Sequence, residues 1–247
     1  MEVHAHAHTP RKKWTHYFWE FLMLFLAVFC GFLAENQREH YIEQLREKQY
    51  MRSLLEDLST DTATVKRVYN QALIQNALLD SLIELGNYSQ MNEMNTHRLY
   101  FLHGQTTRFL NIRFEDGTSS QLKNAGGMRL VRNKKVGESI RQYWAKIEVL
   151  YRIRDRLETA GENIAALSSR IFYDKFFIYN NDDPLGPLKG IKPGTTLINN
   201  DAKLIAEYVN RVVTKSIRTK IYLNDLEETI QIADQLMGLI KKEYYLK

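Results

Sequence analysis

Three histidines that alternate with alanine, His4, His6 and His8, are the residues whose type and spacing most directly suggest chemistry. Imidazole is a ready ligand for copper or zinc. No cysteine or carboxylate-rich site accompanies them, and His97 and His103 are six positions apart, so they do not share a helix face as the histidines of H-x-x-x-H would. We therefore expect no resident metal and no cofactor.

Motifs of nucleophilic, phosphate and zinc hydrolase chemistry are missing from the sequence. Neither G-x-S-x-G nor H-E-x-x-H occurs, and the segment at 124–127, Asn-Ala-Gly-Gly, is too short for a phosphate-binding loop. Glu56, Asp57 and Asp61 lie close together, but acids on an exposed helix usually serve only solubility. The sequence thus predicts that the chain is not an enzyme, with catalysis kept as the least favoured of three hypotheses.

A dense run of cations lies between Lys123 and Arg156, where ten basic residues accompany three acidic ones, against a net charge of +5 for the whole chain. Such a run can contact nucleic acid, an anionic polymer, lipid headgroups or an acidic partner. The alternative is a solvated face that acidic residues of neighbouring helices balance. The candidate basic face comprises Arg129, Arg132, Lys134, Lys135 and Arg141.

The apolar stretch at 17–34 predicts the element that places the rest of the chain. Its 18 residues include 16 hydrophobic ones, Gly31 and a single charge, Glu20. At about 1.5 Å per residue a helix of this length nearly matches a hydrocarbon layer of about 30 Å. Trp14, Trp19 and Glu20 are the candidate membrane contacts, the tryptophans as interfacial anchors and Glu20 as a carboxylate that either reaches the headgroups or contacts another helix.

Three other interpretations of this stretch are less favoured. A cleaved signal peptide needs small residues before the cut, whereas Phe32 and Leu33 precede Ala34. A lipoprotein cut before Cys30 meets the same objection at Phe29, and a buried helix of a soluble core is usually shorter.

Orientation follows from the flanking charges. Arg11, Lys12 and Lys13 precede the span, whereas Arg38 is the only basic residue in the ten positions after Ala34. Positively charged flanks stay in the cytoplasm, so we expect a single-pass protein of the cell inner membrane with its C-terminal domain in the periplasm. A domain placed there would not meet nucleic acid.

The remaining sequence predicts helices. From Glu35 to Leu85 there is no Pro or Gly, and apolar residues recur at steps of three and four, which predicts a stalk helix continuing the anchor and stopping at Gly86. If continuous, this helix either forms a coiled stalk or has later helices packed along it. Further predicted helices are 91–114, a short one capped by Thr118 or Ser119, 134 to about 179 capped by Asn133, and a last one starting at Asp201 after a loop at 180–200.

These elements predict an all-α fold, with an N-terminal transmembrane helix that continues into a long stalk helix and an antiparallel helical bundle. The expected organisation is a tail at 1–16, a transmembrane helix at 17–34 and a helical soluble domain at 35–247.

Three stretches resemble an uncharacterised family of bacterial single-span membrane proteins with a helical soluble domain. They are Trp19-Glu20-Phe21 with Leu33-Ala34-Glu35-Asn36, the segment 50–58, and the segment 121–133. The resemblance implies an anchor followed by a helical domain and carries no catalytic residue.

The favoured function is therefore a non-enzymatic, membrane-anchored helical protein that binds or scaffolds a partner outside the cytoplasm. Its expected partners are the lipid bilayer and either a second copy of itself, through the stalk, or another protein. The alternative is an extracytoplasmic small-molecule sensor domain, which would need a pocket between helices.

Overall fold

A single uninterrupted helix, α1, begins the computed structural model, which describes residues 14–86, 93–106, 110–124, 126–179 and 188–246. Helix α1 runs from Trp14 to Gly86 over 73 residues that include no proline, so the predicted anchor and stalk are one helix. The chain divides into two compact units, one ending at Tyr50 and the other beginning at Met51. The tail histidines lie outside the described residues.

Two further long helices confirm the predicted all-α class. Helix α4 spans Lys134–Ser168 and helix α5 spans Ala202–Tyr244, and the structure is 83% helical. The predicted cap of α4 is confirmed, because the Asn133 side chain accepts from the backbone N–H groups of Lys135 and Val136. Asp201, the predicted start of the last helix, caps α5 by accepting from the backbone N–H of Leu204. Each cap satisfies donors that the first helical turn leaves without a partner.

Apolar side chains from α1, α4 and α5 meet within the second unit, as two of its layers show. One layer joins Val65 and Val68 of α1 to Leu157 of α4 and Leu226 of α5. The other joins the later α1 residues to the later residues of α4 and the earlier ones of α5: Leu79, Leu82, Leu85, Ile164, Leu167, Leu204, Tyr208 and Val212. Helices α1 and α4 thus run in the same direction and α5 runs opposite to both. Of the two alternatives for the stalk, residues 51–86 have later helices packed along them.

The segment between α1 and α4 departs from the prediction. The expected helix at 91–114 is wrong over its last part: helix α2 covers Glu93–Thr106, and residues 110–116 are not helical. Leu110, Ile112 and Phe114 are buried while the residues between them are exposed, so this stretch has the two-residue alternation of an extended chain. A short helix, α3, follows at Gly117–Asn124.

Carboxylates on α1 hold this returning segment in place. Asp61 accepts hydrogen bonds from the backbone N–H of Glu115 at 2.8 Å and from the Tyr143 hydroxyl at 2.7 Å, and Asp57 accepts from the N–H of Thr118 at 3.3 Å. The expectation that these acids are merely solvated is therefore wrong for Asp61, which is buried. Burial is the largest influence on the Asp61 carboxyl and raises its pKa, although both hydrogen bonds oppose that rise.

The predicted capping of the short helix is also wrong. Helix α3 begins at Gly117, so Thr118 and Ser119 lie inside its first turn. The backbone N–H of Thr118 donates to the Asp57 carboxylate, and the Ser119 hydroxyl accepts a hydrogen bond from the Trp144 indole at 2.9 Å. Asp116 supplies the carbonyl that accepts from the N–H of Ser120.

The end of α4 also differs from the prediction. This helix was expected to reach about residue 179 but ends at Ser168, and a 3-10 turn at Asp174–Phe176 leads into a short strand, β1, at Phe177–Ile178. Strand β1 pairs antiparallel with β2 at Gly190–Ile191, within the segment predicted to be only a loop. Ile171 and Phe172 are buried in the core although they follow the helix. Their apolar character therefore extended the helical pattern in the sequence beyond the true end of α4.

Candidate functional site

The apolar part of α1 that precedes Tyr50 is long and apolar enough to cross a membrane, and no residue of its 18-residue window is buried. Phe21, Phe25 and Phe29 stack along one side of the helix at four-residue spacing, with ring centroids 6.3 and 5.9 Å apart. Cys30 is exposed. An exposed surface of this kind is costly in water and favourable in lipid.

The candidate membrane contacts lie on this part of α1. Trp14 is 82% exposed and Trp19 is also exposed. Glu20 lies one helical turn after His16, and the His16 Nε2 and Glu20 Oε1 atoms are 3.1 Å apart. The carboxylate therefore has a partner on its own helix, an arrangement that neither interpretation of Glu20 anticipated.

The five residues of the candidate basic face are all exposed, but the structure brings only some of them together. Lys134, Lys135 and Arg141 line a cleft of about 650 Å³ at the start of α4, which we name the basic cleft. Met128 and Glu138 also lie in its wall. Glu138 lies 2.7 Å from the Arg141 guanidinium and partly neutralises the cleft. Arg129 and Arg132 lie outside its lining.

Other cations of the same run are neutralised within the fold. The Lys146 ammonium is buried and lies 2.5 Å from both the Asp225 and the Glu228 carboxylates of α5. Arg154 pairs with Asp155 at 2.7 Å, and the Lys123 ammonium lies 4.6 Å from the centre of the Trp144 ring. Of these three residues Lys146 alone pairs with acidic residues of a neighbouring helix, which is the balance that the alternative interpretation of the basic run required.

A second concavity, which we name the isoleucine groove, lies between α4 and α5. Its lining residues are Ile153, Arg156, Thr214, Ile217, Arg218 and Ile221, and its volume is about 470 Å³. Ile217 is 55% exposed and Ile221 is 49% exposed, so neither belongs to the apolar face that α5 turns to the core. The buried stripe of α5 passes instead through Val212, Thr219 and Leu226.

A buried polar cluster that the sequence did not indicate lies in the core layer of α2 and the early part of α5. The His103 Nδ1 atom is 2.9 Å from the Tyr208 hydroxyl oxygen, and the His103 ring stacks on Phe172 with centroids 4.5 Å apart. Burial lowers the pKa of His103 to about 3, with a smaller contribution from the charge of Lys215. Lys215 is only 2% exposed, and burial lowers its pKa to about 8.

The distribution of potential ligands and nucleophiles gives no support for a metal centre in the part of the chain that the structure describes, since no group of three or more His, Cys, Asp or Glu side chains there could hold an ion. Comparisons with protein-family models, with curated proteins and with solved structures find no match to this chain. The resemblance to bacterial single-span membrane proteins therefore stays a prediction.

Proposed function

We propose that this chain is a non-enzymatic membrane-anchored protein whose helical bundle binds a partner outside the cytoplasm. The observation that supports the anchor is the apolar window before Tyr50, in which no residue is buried. A core helix of a soluble protein would bury such a window, whereas the second unit builds its core from residues after Met51. The basic flank at 11–13 supports a cytoplasmic N-terminus, which directs the bundle to the periplasm if the cell is Gram-negative.

Partner binding is supported by the surface of the bundle. The basic cleft and the isoleucine groove are both of a size that accommodates ligands or side chains of another protein. Tyr41 and Leu45 are exposed apolar residues one helical turn apart on α1, and they support pairing of two copies through the stalk. The proposed protein is thus a scaffold or adaptor of the inner membrane.

The experiment that tests the anchor is membrane fractionation of the intact chain. We expect it to stay with membranes at alkaline pH and to be released by detergent. Alkaline phosphatase fused after Lys247 should be active, because that enzyme folds only outside the cytoplasm and so reports on orientation. Replacing Leu24 and Val28 by Lys should release the chain, because each cation at mid-bilayer costs about 3 kcal/mol. The matched control replaces Leu73 and Ile74, which are exposed apolar residues of α1 in the second unit.

The outcome of this experiment is decisive. If the control variant stays in the membrane fraction and the Leu24, Val28 variant is released from it, the anchor is supported. Intact wild-type chain in the soluble fraction without detergent, or a mature N-terminus after Ala34, would contradict it. The mass of the detergent-solubilised particle separately tests pairing of two copies, since a monomer would remove the stalk as an interface.

The second candidate function, an extracytoplasmic sensor, is favoured by the basic cleft. Lys134, Lys135 and Arg141 around about 650 Å³ would suit a small anion such as a carboxylate or phosphate. Thermal unfolding of the membrane-reconstituted chain with citrate or inorganic phosphate tests this candidate. A rise in the midpoint that the Lys134→Gln and Lys135→Gln changes abolish supports it, and an unchanged midpoint rejects it for these anions.

A further inference from the structure

The isoleucine groove has the geometry of a helix-binding groove. Thr214, Ile217, Arg218 and Ile221 are spaced by three, one and three positions and so share one face of α5, and Ile153 with Arg156 shares one face of α4. The groove therefore follows two packed helices rather than crossing a single turn. An amphipathic helix docks in such a groove by inserting apolar residues at the same helical spacing.

The charge of the groove indicates what such a helix carries. Arg218 donates from Nη1 to the Arg156 carbonyl oxygen at 2.7 Å, which fixes one guanidinium between the two helices. In the described part of the chain neither Arg156 nor Arg218 has an ion pair, whereas the nearby Arg154 and Arg211 each lie 2.7 Å from a carboxylate oxygen. Two uncompensated arginines beside exposed isoleucines favour carboxylates on the ligand.

A second copy of this chain does not fit the groove against its counterpart. A symmetric contact would bring Arg156 and Arg218 of both copies together, and like charges across an interface are costly. A concave channel between helices also suits a rod of side chains better than a flat lipid surface. The remaining occupant is an acidic helical segment from another protein.

We propose that the isoleucine groove binds an acidic amphipathic helix of a partner protein, with apolar residues against Ile153, Ile217 and Ile221 and carboxylates on Arg156 and Arg218. This inference rests on the proposed function as a partner-binding module and adds the site and the chemistry of the partner.

The direct test uses the full chain in phosphatidylcholine nanodiscs and a labelled model helix of about 18 residues, with Leu at helical spacing and Glu on both flanks. A matched helix carries Lys in place of Glu. We expect the acidic helix to bind at least about tenfold more tightly, with an affinity that falls as salt is added. The double variant Arg156→Glu, Arg218→Glu should reverse this preference.

Two control variants distinguish binding in the groove from nonspecific apolar contact and from nonspecific attraction between charges. Ile217→Ser with Ile221→Ser should weaken binding at least about tenfold, whereas Leu73→Ser with Ile74→Ser, on exposed residues of α1, should not. Arg129→Glu with Arg132→Glu changes the same charge on the basic face and should leave the preference intact. If that pair, rather than Arg156 and Arg218, controls the preference, the proposal is wrong.

A photo-crosslinking residue at position 217 tests the same site in cells. The expected crosslink joins an acidic amphipathic segment of another protein and is lost in the Arg156→Glu, Arg218→Glu variant. A crosslink to a second copy, to lipid or to no molecule would overturn the proposal. If the chain stays in the membrane but the groove fails, only this inference falls, and if the chain is soluble, the proposed anchor falls independently.

Discussion

Lys146 and Lys215 are both buried in the helical bundle, but their surroundings shift their pKa values in opposite directions. Burial lowers the pKa of Lys215 to about 8. Burial also acts against the charge of Lys146, yet the hydrogen bonds to Asp225 and Glu228 outweigh it and raise the pKa. Burial alone therefore does not set the pKa of a lysine in this bundle, since at Lys146 the bonds to two carboxylates outweigh it.

The largest expected effect is a gain in stability from Lys215→Met. The folded pKa of about 8 lies below the ordinary 10.5, so the folded bundle prefers the neutral amine. The wild type therefore loses stability as the pH falls from 10.5 through 8, and it carries the full cost, at most about 3 kcal/mol, at neutral pH. We expect the variant to be about 2 kcal/mol more stable at pH 7 in urea unfolding, because Met keeps most of the side-chain volume.

The gain should shrink as the pH rises towards 10.5, where the wild-type amine loses its proton in both states. Lys220→Met is the matched control, since Lys220 is an exposed lysine on the same helix, 3.4 Å from Asp80. Its stability should differ from that of the wild type by less than about 0.5 kcal/mol. A pH-independent loss of stability in Lys215→Met would contradict this prediction, because it would show that the shape of the side chain matters more to the fold than its charge.

The same substitution at Lys146 should have the opposite sign. Its folded pKa is raised, so its contribution is fully present below 10.5 and is lost only as the pH rises through the higher folded value. Lys146→Met leaves Asp225 partly buried without its cation, and we expect a loss of about 1–2 kcal/mol at pH 7. The 60% exposed Glu228 side chain contributes less, because water screens it.

Restoring the balance tests the cause of that loss. Asp225→Asn combined with Lys146→Met should recover part of the lost stability, because the charge and its partner are removed together. Urea unfolding of the four chains forms a double-mutant cycle. Additive effects of the two substitutions would mean that the ion pair does not determine what Lys146 contributes to the free energy of unfolding.

The two lysines also show how far sequence reasoning reaches. Three- and four-residue spacing predicted the long helices, and Asn133 and Asp201 predicted where α4 and α5 begin, because caps and apolar stripes are local properties. The basic run at 123–156 was treated as one face, although Lys146 turns inward to meet acids about 80 positions later in the chain. Such a pairing depends on how α4 and α5 pack, which no local pattern specifies.

The candidate sites likewise divide into one that a local pattern predicts and others that depend on how the helices pack. The apolar window was visible in the sequence because a run of consecutive apolar residues is a local property. Ile217 and Ile221 lie on the side of α5 opposite its buried stripe. The isoleucine groove was missed because spacing along α5 shows neither the neighbouring α4 nor the concavity that the two helices form. The burial of His103 was likewise undetectable from a spacing argument.

A smaller effect should link Lys215 to His103. Burial is the main reason that the His103 pKa is about 3, and the positive charge of Lys215 lowers it further. In Lys215→Met we therefore expect the His103 pKa to rise but to stay well below 6.5, as followed by NMR of the imidazole nitrogens in acid. Lys220→Met should leave the titration unchanged, and an unaltered His103 in both variants would remove the electrostatic link.

The smallest effect on stability is expected at Arg156 and Arg218, for which the described residues provide no ion pair. Arg156 is exposed, and the half-buried Arg218 donates from Nη1 to the Arg156 carbonyl oxygen at 2.7 Å. Replacing both by Ala should change the free energy of unfolding by less than about 1 kcal/mol, which is the net contribution of one hydrogen bond. Urea unfolding of the double variant beside Lys146→Met makes the comparison directly. A loss as large as that of Lys146→Met would mean that these arginines stabilise the bundle, and their open charge would then no longer favour a role in binding.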